Sequence, residues 1–245
     1  STAGAASLAV SGTSTIDASV TTSGNQTYTS GVTLGTGDIT LRGGTINFGS
    51  TLAGGTQNLT ITGALDLDGA ATGLGTLAVS GASNLGASVT SDGTQSYGTS
   101  NGDLTTISAD VTLTTTNSNI DMRSIDGAAG TEDLAFNTGS GEITVEGDVT
   151  DITILTLTDS GGATFNGSVD ATTVTITDLD TAGDNVIFND TLTATTLNVA
   201  AGNVAYDVEL NGGGTITNAV TFSNTGILKI GNDTGDTMVF NGGFT

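Results

Sequence analysis

Two short acidic segments have residue types that could bind calcium. Asp178, Asp180 and Asp184 stand at positions 1, 3 and 7 of a loop with glycine at position 6, as in helix-flanked calcium loops. Position 5 of this loop is alanine, and Asn189 stands where a bidentate glutamate is needed. Asp233–Asp236 belongs to a run that matches half of one calcium-binding nonapeptide, without a tandem neighbour. Both segments are predicted to be acidic corners without metal ligands, and calcium binding stays open as the alternative.

Two pairs of carboxylates could hydrolyse a glycosidic bond, a reaction that needs two such groups. Asp66 and Asp68, and likewise Glu142 and Glu146, are an even number of residues apart in alternating segments, so each pair shares a face. A glycan cleft is normally rimmed by aromatic and arginine side chains, and this chain has only Tyr 3, Phe 7 and Lys+Arg 3. We interpret these acids as solvated outward residues and predict no catalytic residue, no cofactor and no enzyme.

Threonine pairs of the form T-x-T could order water on a flat face. They begin at Thr60, Thr112, Thr156, Thr173, Thr193 and Thr215. Their spacing is irregular and Asp or Asn interrupts the rows. The preference of threonine for exposed strand positions explains them better than ice binding does.

The composition excludes several classes of function. The chain has no His and no Cys, so it can form neither a Ser-His-Asp triad, nor a His or Cys zinc site, nor a disulfide. Its net charge is −22, and its three basic residues cannot neutralise a phosphate backbone, so we expect no nucleic-acid partner. No stretch is apolar for long enough to span a membrane as a helix, and we predict no membrane insertion.

The elements that position these residues are predicted to be short β-strands. Mean hydropathy is +0.13 and Pro is absent, which is not the composition of a disordered chain. Apolar and polar residues alternate over three to seven positions, and Gly-Gly, Asn-Gly and Asp-Gly turn signals separate the runs. The alternating runs lie at 7–10, 38–41, 45–48, 58–62, 64–68, 142–146, 152–158, 173–177 and 203–208.

The chain also repeats itself. Residues 7–30 and 76–99 are identical at 13 of 24 positions with an offset of 69, and a weaker third copy begins near residue 155. We therefore predict one continuous β-solenoid over 1–245 with degenerate repeats at about 7–75, 76–154 and 155–245. Coils of roughly 20 residues would give about 12 coils and a rod roughly 55–60 Å long. Tandem β-sandwich domains are the alternative.

The stretch SLAVSGTSTIDASVTTSGNQTYTSGVTLGTGDITL at 7–41 resembles the filamentous-haemagglutinin-like and autotransporter-adhesin-type repeats of large bacterial surface proteins. Gln26-Thr27-Tyr28 and Gln95-Ser96-Tyr97 match the QTY phrase of that family, and Phe165-Asn166-Gly167 matches another of its phrases. The resemblance implies an exported, right-handed parallel β-helix. This family is defined by the sequence pattern of its repeats and not by an active site, so the resemblance implies no functional residues.

These observations predict a structural, non-catalytic segment of an extracellular fibre or adhesin stalk. The chain begins without Met, and neither Ser1–Ala9 nor Met238–Thr245 resembles a polar cap. We therefore expect one unit of a tandem array or a head-to-tail filament, whose partners are its own copies. The alternatives are an adhesin module that binds surface glycans, which would need Tyr28, Tyr97 and Tyr206 in an exposed groove, and a polysaccharide-active enzyme.

Overall fold

The computed structural model describes residues 5–245, and every regular element in them is a β-strand. The first fourteen strands are β1 (Leu8–Val10), β2 (Ser14–Ile16), β3 (Val20–Thr21), β4 (Gln26–Tyr28), β5 (Val32–Leu34), β6 (Ile39–Phe48), β7 (Leu52–Ala53), β8 (Leu59–Leu67), β9 (Ala71–Leu74), β10 (Leu77–Val79), β11 (Ser83–Leu85), β12 (Val89–Ser91), β13 (Gln95–Tyr97) and β14 (Leu104–Ile107). The others are β15 (Val111–Thr115), β16 (Ile120–Met122), β17 (Ser124–Gly127), β18 (Asp133–Asn137), β19 (Ile143–Val145), β20 (Val149–Asp159), β21 (Ala163–Phe165), β22 (Val169–Ile176), β23 (Asn185–Phe188), β24 (Leu192–Val199), β25 (Asp207–Leu210), β26 (Gly214–Ile216), β27 (Leu228–Ile230) and β28 (Met238–Phe240).

The strands form three parallel stacks, and long strands contribute to two of them. Stack 1 runs through β1, β4, β6, β8, β11, β14, β17, β20, β22, β24, β26 and β28. Stack 2 runs through β2, β5, β7, β9, β12, β15, β18, β20, β22 and β24. Stack 3 runs through β3, β6, β8, β10, β13, β16, β19, β21, β23, β25 and β27.

The chain visits stacks 1, 2 and 3 in turn and so winds into a β-solenoid of about 12 turns with strands about 20 residues apart. All named strand pairings in the described part of the chain are parallel, which confirms the predicted parallel β-helix. The alternative of tandem β-sandwiches is wrong for residues 5–245, because such domains are built from antiparallel sheets.

Alternation along each strand directs every second side chain into the solenoid. Seven apolar residues of the alternating runs at 38–41, 58–62, 152–158 and 173–177 are all fully or almost fully buried, at 0–2 % exposure. They also stack in register: Leu41 lies beside Ile61, and Leu157 beside Ile176. The predicted core register is therefore confirmed. The seven residues are Ile39, Leu41, Ile61, Leu155, Leu157, Val174 and Ile176.

Glycine allows the coils to approach closely at the corners. Gly63 has a φ of 140°, and a Cβ there would overlap the carbonyl oxygen of Gly43 in the preceding coil. Gly81 in the next coil donates its N–H to the carbonyl of Gly63 at 3.1 Å. A side chain at Gly63 would thus clash across the corner, in a backbone region that L-residues rarely adopt.

The 69-residue sequence repeat does not correspond to a whole number of turns. Leu8 of the first copy lies in stack 1, whereas its equivalent Leu77 lies in stack 3, three turns and two strands further on. Local pairing is nevertheless preserved, because Leu8 lies beside Gln26 and Leu77 lies beside Gln95. Equivalent residues of the two copies therefore face different sides of the rod. The same sequence phrase can thus occupy different stacks.

One predicted strand is partly wrong. The alternating run at 203–208 becomes a strand only at β25, which begins at Asp207. The preceding residues form a corner, because the Tyr206 hydroxyl donates to the carbonyl of Ala200 and anchors the segment. The predicted uncapped start lies partly outside the described residues, which begin at residue 5.

Candidate functional site

The tyrosines that would mark a glycan groove lie inside the solenoid. Tyr28 is 2 % exposed, and its hydroxyl donates to Gln26 Oε1 at 2.9 Å. Gln26 Nε2 in turn donates to the backbone carbonyls of Arg42 at 2.9 Å and Val20 at 3.2 Å. The side-chain amide of Gln26 therefore supplies hydrogen bonds to two backbone carbonyls near a corner. The Tyr28 hydroxyl supplies the hydrogen bond that the side-chain oxygen of Gln26 accepts.

The second copy of the repeat builds the same bridge. The Tyr97 hydroxyl donates to Gln95 Oε1 at 2.9 Å, and Gln95 Nε2 donates to the Thr114 carbonyl at 2.8 Å. Beside each bridge a hydroxyl caps the same corner: Thr22 donates to the Gly24 carbonyl at 2.7 Å in the first copy. We call these two buried networks the Gln-Tyr bridges.

Burial raises the pKa values of all three tyrosines. It raises the pKa of Tyr206 to about 12, and the nearby Asp178 carboxylate adds to the effect. Burial alone raises the pKa values of Tyr28 and Tyr97. Because these phenols are neutral core groups, none is available to stack on a sugar. The exposed aromatic groove on which the adhesin alternative depended is not formed by them.

Sequence reasoning identified the Q-x-Y phrase but missed its purpose. The signal was present, because Gly24, Gln26 and Tyr28 recur unchanged 69 residues later, and the hydroxyl of Thr22 recurs there as a serine. A polar side chain repeated at an inward position of an alternating strand indicates a buried hydrogen-bond network.

The carboxylates of the Asp178–Asp184 segment are already occupied by local donors. Asp178 Oδ1 accepts from the Asn203 backbone N–H at 2.8 Å, and Asp184 Oδ2 accepts from the Thr181 N–H at 2.9 Å. Asp180 Oδ2 accepts from the Thr181 hydroxyl at 3.1 Å. Asp184 thus closes a turn, whereas Asp178 bonds a residue of the following coil.

The Asp233–Asp236 segment has the same character. Asp236 Oδ2 accepts from the N–H groups of Asn232 at 2.7 Å and Asp233 at 2.9 Å, and these bonds hold the Asp236 pKa below its usual range. Asp233 Oδ1 accepts from the Gly235 N–H at 2.6 Å. Across residues 5–245, no three acidic residues lie together as a metal site requires.

The carboxylate pairs proposed from the sequence belong to polar ladders between coils. Asp66 accepts from the amides of Asn47 and Asn84, each at 2.8 Å, and Asp68 accepts from Asn47 at 3.2 Å. Glu146 Oε2 accepts from the Asn166 amide at 3.1 Å. Each of these three carboxylates therefore bonds an amide of a neighbouring coil.

A carboxyl group with a raised pKa could act as a general acid. Three carboxyl groups outside the pairs described above have a raised pKa. Burial and the neighbouring Asp110 carboxylate raise the pKa of Asp133. Burial together with Asp178 and Asp180 raises that of Asp159. Burial also raises the pKa of Asp121, with Glu146 and Glu142 adding to it and Arg123 opposing. The charged neighbours of Asp133 and Asp159 are acidic residues of adjacent coils. The raised pKa values therefore also reflect repulsion between like charges on successive coils.

Among the shallow grooves on the outer faces of residues 5–245, three are the first candidates for ligand binding. One of about 290 Å³ is bordered by Glu142, Asp184 and Asn185. One of about 330 Å³ is lined mainly by threonine and small residues such as Thr33. One of about 410 Å³ contains Asp66 and the exposed Leu104. None of the three contains an aromatic or basic side chain, so they lack the groups that usually bind sugar rings or anions.

The threonine rows are short. Thr193 stands beside Thr215 in the next coil, but the equivalent position in the preceding coil is Asp170. On the other side Thr215 lies beside Val239, so this row is only two coils long.

Comparison of the chain with protein-family models, with curated proteins and with solved structures found no match. In the described part of the chain, no helix is long and apolar enough to cross a membrane. The resemblance to haemagglutinin-like repeats therefore stays a prediction from the sequence.

Proposed function

We propose that this chain is a structural, non-catalytic segment of an exported bacterial surface protein or extracellular fibre, acting as a stiff spacer. The observation that carries the proposal is the unbroken parallel pairing from β1 to β28, with apolar side chains stacked inside it. The inter-coil hydrogen bonds run along the rod axis, so bending the rod requires stretching the ladder on one side. The mechanism is mechanical, and it needs no ligand.

Stacked aromatic rings and side-chain ladders reinforce this axis. The rings of Phe165 and Phe188 lie parallel at 5.1 Å between centroids. Outside them, Asn189 donates to Asn166 Oδ1 at 2.9 Å, and Asn211 donates to Asn189 Oδ1 at 3.1 Å. The Phe-Asn phrase thus contributes an apolar stack within the core and an amide ladder at the corner of successive coils.

The carboxyl-terminal coil supports a continuing solenoid. Ile230 is 43 % exposed and Phe244 is 52 % exposed, whereas the residues they pair with in the preceding coil, Leu210 and Val220, are buried. Another coil placed on this end would bury these side chains and pair the open strand edges. We propose that this coil comes from the next repeat of the same polypeptide or from a second copy. Such head-to-tail contacts do not close, and so they extend into fibres.

The strongly acidic surface fits the same role. A net charge of −22 makes neighbouring rods repel one another laterally, while the apolar end remains attractive. Growth along the axis is favoured over side-by-side bundling. Extracellular placement follows from the proposed family resemblance.

Sedimentation velocity of the purified chain over a range of concentrations tests the end-to-end contact. We expect linear oligomers with masses in steps of 23.9 kDa. Phe244→Asp should abolish them, whereas Leu104→Asp, a matched change at an exposed apolar residue on the side of the rod, should not. Equal loss of association in both variants would contradict an end-specific contact.

A further inference from the structure

Four Asn-Gly pairs occur in the chain, at 101–102, 166–167, 211–212 and 241–242. In such a pair the glycine backbone nitrogen can attack the asparagine Cγ. The new N–Cγ bond forms a succinimide ring, the Cγ–Nδ2 bond breaks, and ammonia leaves. Water then opens the ring to aspartate or isoaspartate. The reaction consumes only water, but it requires the side chain to swing and the backbone at the glycine to rotate.

Two of the pairs are held by the polar ladders. Asn166 donates to Glu146 at 3.1 Å and accepts from Asn189 at 2.9 Å, so both ends of its amide are occupied. Asn211 is 5 % exposed and donates to Asn189 at 3.1 Å. The glycine after each of them packs so closely on the preceding coil that a Cβ would overlap its backbone.

The pair at 241–242 has an exposed asparagine side chain but a fixed backbone. The Asn241 N–H donates to the Ile216 carbonyl at 2.9 Å. Gly242 lies directly against the backbone of Ala219 in the coil before it. Rotation at Gly242 would separate these two coils.

Asn101 and Gly102 have neither of the restraints found at the other pairs, which are a hydrogen-bonded asparagine side chain and a glycine packed against the preceding coil. They lie at the tip of the corner between β13 and β14, and both are exposed. Asp103 closes this corner by accepting from the N–H groups of Thr99 and Ser100, each at 2.8 Å. Among the described residues, none donates to or accepts from the Asn101 side chain. A Cβ on Gly102 would meet nothing within 4 Å.

We propose that Asn101 is a self-modification site, which converts to aspartate or isoaspartate in the folded protein ahead of the other three pairs. The product has a defined neighbourhood, because Asn101 lines a cleft of about 90 Å³ with Arg123, Ser124 and Glu146. Arg123 is one of three basic residues in the chain and has no ion-pair partner among residues 5–245. The reaction thus places a new carboxylate in the cleft of this guanidinium.

Peptide mapping by mass spectrometry, after incubation of the folded chain at mildly alkaline pH, follows the one-unit mass gain at each pair. We expect Asn101 to react roughly tenfold or more faster than Asn166 and Asn211, because these two need local opening first. Gly102→Ala should slow the reaction at Asn101 strongly. The added methyl has room, so this variant should fold normally. Gly12→Ala, a second glycine with open space around it, should leave the rate unchanged.

The unfolded chain supplies the reference. In concentrated urea all four Asn-Gly pairs should react at similar rates, which would assign the selectivity to the fold. Equal rates at Asn101 and Asn166 in the folded chain would overturn the proposal. So would an intact Asn101 amide at a time when the unfolded chain has fully reacted, or an unchanged rate in Gly102→Ala.

Discussion

The hydroxyl of Tyr97 donates to the side-chain carbonyl of Gln95, two residues earlier on the same strand, at 2.9 Å inside the solenoid. The amide of Gln95 continues the chain of bonds to the carbonyl of Thr114 in the next coil. A buried polar side chain is stabilising only when all its partners are present. Each Gln-Tyr bridge therefore fixes how two successive coils meet at a corner.

Tyr97→Phe should lower the free energy of unfolding by about 1–3 kcal/mol, because it leaves Gln95 Oε1 buried without a donor. Ser96→Ala is the matched control, since Ser96 lies between the two residues and faces outward. Urea denaturation of both variants measures the difference. An unchanged midpoint for Tyr97→Phe would show that the bridge contributes nothing to stability.

Ile176→Asp should destabilise the protein by about 3–5 kcal/mol, because it buries an unpaired charge. Ile176 is fully buried between Leu157 and Val199 of the adjacent coils. Thr177→Asp, at the next and exposed position, adds the same charge and should change stability little. If both variants unfolded at the same temperature as the unmodified chain, the core register would be incorrect.

Stability should rise as the pH is lowered from neutrality towards the ordinary carboxyl pKa of about 4. The folded pKa values of Asp121, Asp133 and Asp159 are raised, so the folded state binds protons more readily than the unfolded state. Their favourable contribution is fully present below the unfolded pKa and is lost as the pH rises through the folded pKa. The lowered pKa values of Glu209 and Asp236 act oppositely, but only at lower pH.

Asp133→Asn isolates this effect at one residue. At neutral pH it should stabilise the fold by roughly 0.5 kcal/mol, because it removes a stacked carboxylate beside Asp110. Asp170→Asn removes the same charge from an exposed position and serves as the control. Thermal unfolding at several pH values should show the gain for Asp133→Asn disappearing in acid. A gain that is independent of pH would rule out like-charge repulsion as its cause.

Removal of divalent cations should leave the protein unchanged. The carboxylates near Asp180 and Asp233 accept hydrogen bonds from neighbouring N–H and O–H groups, so the corners close without a metal. With excess chelator we expect the same circular dichroism spectrum and the same unfolding midpoint. A midpoint many degrees lower would instead identify one of these corners as a calcium site.

The strands and the core register could be predicted because period-two alternation is a local property. At 39–41 and 173–176, apolar residues at every second position and flanking turn residues were sufficient. The solenoid followed from the repeat together with the absence of Pro, since proline would interrupt the inter-coil ladder.

The arrangement of the repeats and the candidate-site geometry could not be predicted in the same way. The offset of 69 does not specify how many turns separate the copies, because corner lengths vary between coils. Only the pairing shows that Leu77 lies in a different stack from Leu8. Tyr206 looked like a strand residue because its neighbours alternate, whereas its hydroxyl ties it to Ala200. Such tertiary partners are not encoded in a local pattern.

Electron microscopy and fibre diffraction of the native material test the central claim, a continuing parallel solenoid, most directly. We expect thin rods with a spacing of about 4.8 Å along the rod axis and a length of roughly 55–60 Å for each chain. Compact particles of similar width and length, or a 4.8 Å spacing perpendicular to the rod axis, would contradict the proposed spacer.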